Sequence, residues 1–155
     1  MKKEAQRVII RKAEVGDAQT IRKLEEKVWN EEVTNKYDSP MFIRFGYVFV
    51  AQVGTKIIGA IVSYRTNKNE VYVCDLVVDE KYRRLKIGEK LYKKLLTAVR
   101  GMSVVSFLDP DLDPTAKLHE KLGGKVVAKI KDPYDLVHDG GLETGVRLFV
   151  RIHNK

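Results

Sequence analysis

Apolar residues along this chain switch between period two and a helical period, and the switch points mark its elements. Val8–Lys12 is a short strand. Asp17 then offers an N-cap, and Ala18, Ile21, Leu24, Val28 and Trp29 form one apolar helix stripe. Residues 30–46 lack clean periodicity, and Pro40 breaks any helix there. Tyr47–Val53 and Lys56–Tyr64 read as strands joined at Gly54-Thr55, a hairpin with glycine first, as a type II′ turn wants. After a turn over Thr66–Asn69, Val71–Val78 is apolar on both alternating faces: Tyr72, Cys74, Leu76 and Val78 on one, Val71, Val73 and Val77 on the other. A strand of this kind is central and covered on both sides. Asp75 is the exception, an acid on the valine face.

A short basic segment and Gly88 follow, then a helix carrying Leu91, Leu95, Leu96 and Val99 that ends near Arg100-Gly101. Ser103–Leu108 is the next strand, parallel to Val71–Val78 because a helix crossover joins them. Beyond the turn Asp109–Asp113, Pro114 suits the first turn of a helix capped by Asp113. That helix is expected to bury Leu118 and Leu122 and to stop at Gly123-Gly124. Lys125–Lys131 and Gly145–Ile152 close the sheet. The long loop between them, Asp132–Thr144, holds Pro133, Tyr134, His138 and two glycines.

The length of 155 residues suits a single domain spanning 1–155, with one core and no need of metal or disulfides. The lone Cys74 excludes an internal disulfide framework, which fits a reducing, cytoplasmic setting. No apolar run reaches membrane-spanning length, and MKKEAQR lacks the apolar region of a signal peptide. A net charge of +8 suits an anionic partner, but the lysines are dispersed among acids, which argues against specific nucleic-acid binding. His119, His138 and His153 have no ligand-like spacing, so no metal site is expected.

Strand, basic turn and helix start is an arrangement that offers N–H groups and a positive helix end to a phosphate. Neither G-x-x-x-x-G-K-[ST] nor G-x-G-x-x-G is present. Tyr82 to Leu91 instead resembles the pyrophosphate-binding segment of the GCN5-related N-acetyltransferases, R/Q-x-x-G-x-G/A followed by a helix. Arg83 takes the first position and Gly88 the last, while Lys86 stands where a glycine is usual. PTAKLHEKLGG resembles the family's A-x-x-L-Y-x-x-x-G-F, with Thr115, His119 and Gly124 in place of its alanine, tyrosine and phenylalanine. The element order, β-α-(α)-β-β-β-α-β-α-β-β, resembles the family over nearly the whole chain.

The resemblance implies an α/β fold with a mixed, mostly antiparallel sheet, helices on both faces, and two parallel central strands that splay apart around acetyl-CoA. It implies an acetyl-CoA-dependent N-acetyltransferase acting on a primary amine by direct attack. The backbone of Leu85, Lys86, Ile87, Gly88 and Glu89 would cradle the pyrophosphate, with Arg83, Arg84 and Lys90 as further contacts. N–H groups at Leu76, Val77 and Val78 would meet the oxyanion. The acceptor would enter between residues 30–46 and the Asp132–Thr144 loop.

An ammonium must lose a proton before it attacks. Asp75 is the candidate base, since burial raises a carboxyl pKa toward neutrality; anchoring the acceptor amine or pairing with a lysine are its other roles. His119 would take the place of the family's tyrosine as acid for the leaving sulfur. The stripe Leu118/Leu122, however, sets it about a hundred degrees off the buried face. Cys74 is read as an inert core thiol. A second class of function is a non-catalytic acyl-CoA-binding or basic nucleic-acid-binding module, and a homodimer is left open.

Overall fold

The computed structural model describes residues 6–111, 116–135, 140 and 145–155. A seven-stranded sheet runs in the order β1-β2-β3-β4-β5-β7-β6. Its strands are β1 (Val8–Lys12), β2 (Tyr47–Val53), β3 (Lys56–Arg65), β4 (Val71–Val78), β5 (Val104–Leu108), β6 (Lys125–Lys131) and β7 (Val146–Ile152). Every neighbouring pair is antiparallel except β4 and β5. Helices α1 (Ala18–Trp29), α2 (Asp38–Phe45), α3 (Ile87–Ala98) and α4 (Ala116–Lys121) complete the described elements.

Two apolar clusters sandwich the sheet. One gathers Ile87, Leu91, Tyr92 and Leu95 of α3, with Val99 just past its end, against Phe49, Ile58, Ile61, Val71 and Val73. The other sets Ala18, Ile21 and Leu24 of α1 and Ile43 of α2 against Val48, Val50, Ala60, Val62 and Val77. A central strand that serves both layers must be apolar on both sides, as β4 is.

Several local expectations are corrected. Pro40 does not break a helix. It lies in the first turn of α2, where an N–H has no intrahelical partner to lose. Asp17 holds the N-cap position of α1 but makes no side-chain cap bond; its carboxylate binds Arg11 and the Glu14 N–H instead. Trp29 is no core residue, being 43% exposed. Leu118 and Leu122 are half-buried against the α3 cluster. Asp113, Pro114, Thr115 and His138, with the rest of 112–115, 136–139 and 141–144, lie outside the described residues.

Strict alternation along β4 also fails. Val62 pairs with Asp75 and Ser63 with Val73, so Cys74 is an extra residue, a β-bulge. Before it, Val71 and Val73 pack toward α3. After it, Leu76 and Val78 do so, while Cys74 and Val77 turn to α1 and α2. The bulge thereby moves Asp75, with Val77, off the side of Val71 and Val73 and under α1.

Candidate active site

The parallel pair holds only at its start: Val71 pairs with Val104 and Tyr72 with Val105. From Asp75 to Val78, β4 has no β5 partner, while β5 continues in register with β7 to Leu108. A cleft opens toward the C-terminal ends of the two strands. At its mouth Val28, Trp29, Leu76, Val78, Arg83, Gly88 and Leu118 line a cavity of about 200 Å³.

The turn below this cavity is built by its backbone. Asp79, 2% exposed, accepts from the Lys81 N–H at 3.1 Å and pairs with Lys27 at 3.0 Å and Lys56 at 3.7 Å. Burial alone would raise its pKa, but these cations and the N–H hold it below the usual range. A 3-10 turn, Glu80–Leu85, leads to Lys86 at φ 55°, the N-cap of α3. That left-handed conformation is why a glycine is at home there, and a lysine gives up roughly 1 kcal/mol to adopt it. The first intrahelical donor is the Lys90 N–H to Lys86 O, which leaves the N–H groups of Ile87, Gly88 and Glu89 without helical acceptors.

A Cβ on Gly88 would meet Leu76 and Leu118 at 3.7 Å, ordinary contact, so only a longer side chain would fill the cavity. Arg83, Arg84, Lys86 and Lys90 are exposed around this helix start, Arg83 with a loose ion pair to Glu80 at 3.8 Å. Leu85 is exposed and Ile87 fully buried, so each offers its backbone alone. Glu89 is bonded by Lys93 and Lys121, which bring its carboxyl down to about 2.

Beside the cavity stands a buried acid. Asp75 is 8% exposed; its Oδ1 accepts from the Trp29 indole N–H at 3.0 Å, and its Oδ2 is buried with no hydrogen-bond partner. Burial first, then the nearby Glu25 carboxyl, push its pKa up to about 7. Glu25 is itself fully buried, and burial raises it to about 7 although Thr34 Oγ donates to it at 3.1 Å. Cys74 donates to Val62 O, and burial with these acids pushes its thiol up to about 12, which suits an inert thiol rather than a nucleophile.

His119 is placed against expectation. It is 4% exposed, with Nε2 3.0 Å from Ser106 Oγ and 3.1 Å from Tyr92 OH. Helical phase from Leu118 and Leu122 misjudged it because α4 is only six residues long and turns His119 inward, leaving both leucines half-buried. Gly124 supports this seat. Its N–H bonds to His119 O, and a Cβ there would lie 2.8 Å from the same oxygen and 3.0 Å from Val150. A larger residue would force the backbone or Val150 to shift.

Asp75, Leu76, Val78 and the Arg83–Lys90 segment are thus gathered around one cleft. His119 lies behind it, next to the cavity-lining Leu118. Glu25, Thr34, Ser106 and Tyr92 escaped the sequence reading, and Trp29 enters it only as part of the apolar stripe. Glu25 left a legible signal, since Ile21, Glu25 and Val28 are spaced i, i+4 and i+7 on the buried stripe.

The sequence model of the acetyltransferase (GNAT) family matches residues 18–124. Comparison with curated protein sequences gives no match. Among solved structures, this chain is similar to the Escherichia coli ribosomal-protein-S18-alanine N-acetyltransferase, with TM-score 0.80, 16% identity, and 96% of this chain and 95% of that one covered. Ard1 from Thermoplasma volcanium gives TM-score 0.79 and 19% identity over 93% and 95% of the two chains. A Bacillus anthracis protein in complex with acetyl coenzyme A gives 0.75 and 21% over 98% and 100%. At these identities the likeness is one of fold, whereas the family model covers both the cleft and the acid strand. The chain belongs to the acetyltransferase (GNAT) family.

Proposed function

We propose that this acetyltransferase transfers the acetyl group of acetyl-CoA directly to a primary amine, with Asp75 receiving the proton that the amine must lose. The observation that carries this reading is the Asp75 carboxyl, with one oxygen held by Trp29 and the other buried and unpartnered beside the cleft. An unpaired buried carboxylate oxygen is costly unless something arrives to bond it, and an ammonium is the natural occupant. With its pKa pushed up to about 7, the carboxyl can take that proton near neutral pH.

Acetyl-CoA supplies the activated acyl group as a thioester. The residues fit it. The free N–H groups of Ile87, Gly88 and Glu89, with Arg83, Arg84, Lys86 and Lys90 around them, suit a pyrophosphate, and the apolar cavity walls suit the pantetheine arm. The backbone of Leu76 to Val78, left by β5, offers donors for the developing oxyanion. His119 gives a proton to the leaving sulfur, its ring fixed by Ser106 and Tyr92. On this reading His119→Ala lowers turnover by roughly ten- to a thousand-fold and moves the alkaline limb of the rate profile. A buttress alone would lose stability and leave the limb in place.

Residues 1–155 act as one catalytic domain, working in the cytoplasm where Cys74 stays reduced and acetyl-CoA is at hand. Among the described residues no helix is long and apolar enough to cross a membrane. The test uses the chain's single tryptophan, which lines the cavity. Acetyl-CoA should change Trp29 fluorescence saturably, and CoA should be released when amines are added. Calorimetric binding without CoA release from any amine would leave only a binding module. Binding that responds to DNA and salt rather than to CoA would favour a nucleic-acid module.

A further inference from the structure

A row of aromatic rings crosses the sheet on the Asp75 side. Phe42 of α2 stacks on Tyr64 of β3 at 5.6 Å between ring centres, and Tyr64 meets Tyr72 of β4 edge-on at 5.6 Å. Tyr72 meets Phe107 of β5 at 6.2 Å, and Phe107 meets Tyr134 of the β6–β7 loop at 6.1 Å and Phe149 of β7 at 5.0 Å. These spacings are ordinary for aromatic pairs, but rings that only filled a core would be fully buried. Here Phe42, Tyr64, Tyr72, Phe107 and Phe149 are half-buried and Tyr134 is 49% exposed. The row passes from Tyr72, the last β4 residue paired with β5, to Phe107, two residues beyond its partner Val105. It is a floor with one open side.

The floor is contiguous with the acid. Tyr64 and Tyr72 lie near Cys74, which adjoins Asp75 and Glu25. Burial holds both phenols above their usual pKa, so each stays a neutral hydroxyl able to donate. The combination is specific in its chemistry: a carboxyl for an ammonium, hydroxyl donors for a carbonyl close to it, and aromatic faces for an apolar side chain.

Resting on the acetyl-transfer reading above, we infer that the acceptor is the α-amine of a peptide whose first side chain is apolar, lying on the floor from Phe42 to Tyr134. The ammonium sits at Asp75, the first carbonyl accepts from the tyrosine hydroxyls, and the first side chain rests against Phe107 and Tyr134.

The experiment measures acetylation of a matched set of short peptides differing only in the first residue, beside spermidine and an aminoglycoside. A peptide beginning with Met, Leu or Phe should exceed one beginning with Glu or Ser by roughly tenfold or more in kcat/KM, the discrimination an apolar pocket ordinarily gives. Tyr134→Ala, at a half-exposed loop position, should raise the KM of the apolar peptide roughly five- to fifty-fold and leave the KM of acetyl-CoA unchanged. Tyr72→Phe keeps the ring and should raise peptide KM without erasing the preference for an apolar first residue. If spermidine or the aminoglycoside outruns every peptide, or if the first residue makes no difference, the acceptor class is wrong while acetyl transfer stands. If no amine is acetylated although acetyl-CoA binds, the transfer reading falls and takes this inference with it.

Discussion

The two sides of the sheet treat buried polar groups in opposite ways. On the α3 side, Tyr92 and Ser106 are buried with His119 and both bond its ring, joining three elements. On the α1 side, Glu25 and Asp75 are buried as two acids with no cation bonded to either among the described residues, and one Asp75 oxygen is unpartnered. The first arrangement offsets its own desolvation and rigidifies the fold. The second leaves a cost outstanding until a ligand or a proton meets it. Incomplete satisfaction, more than burial, marks where a charged substrate group is to be sought, while the satisfied network holds the His119 ring in place.

The sharpest way to break this contrast is Asp75→Asn. It keeps the shape and the Trp29 bond but removes the base, so kcat should fall roughly a hundred- to ten-thousand-fold with acetyl-CoA affinity intact. Unchanged turnover would make Asp75 a structural acid. The same variant tests the pH dependence of stability. Both raised carboxyls bind protons more tightly in the folded chain than in the unfolded one. Their contribution is therefore full below about pH 4 and lost as pH rises through about 7. Denaturant midpoints of Asp75→Asn should decline less across that window than those of the parent chain.

Next in size, Gly88→Leu carries its side chain past the 3.7 Å contacts into the cavity between Leu76 and Leu118. Acetyl-CoA affinity by calorimetry should fall roughly tenfold or more, while the melting temperature moves little because the cavity has room. Equal affinity would place the cofactor elsewhere.

Glu25→Gln probes the coupling between the acids. Removing a neighbouring negative charge lowers the Asp75 pKa, so the acid limb of kcat/KM should shift to lower pH by roughly half a unit. A limb that stays put would mean burial alone tunes the base. The smallest effect belongs to the phosphate turn. Lys86→Gly relieves a left-handed side chain but frees the unfolded chain, so the gain should be roughly 1 kcal/mol or less in urea titration. Acetyl-CoA affinity should change at most a few-fold, since the backbone donors stay. A larger loss would assign the Lys86 ammonium to the pyrophosphate.

Much of this was fixed locally and could be read off the residues. The bounds of β1, β2 and β4, those of β3 to within one residue, the Gly54 turn, and the strand–turn–helix around Gly88 all follow from short-range pattern, and they carry the family with them. Asp75 stood out because one acid interrupted an apolar strand. Its environment did not. Whether the strand holds a bulge at Cys74 depends on how β3 pairs with it, and the bulge alone turns Asp75 toward Trp29. His119 could not be placed by helical phase, because a six-residue helix takes its orientation from what it packs on, here Tyr92 and Ser106. The aromatic floor joins residues from α2, three strands, β7 and a loop, far apart along the chain, so no window of sequence contains it. Periodicity and turn chemistry act over a few residues and belong to the sequence; strand register and packing set which side chains meet, and only the folded chain decides those.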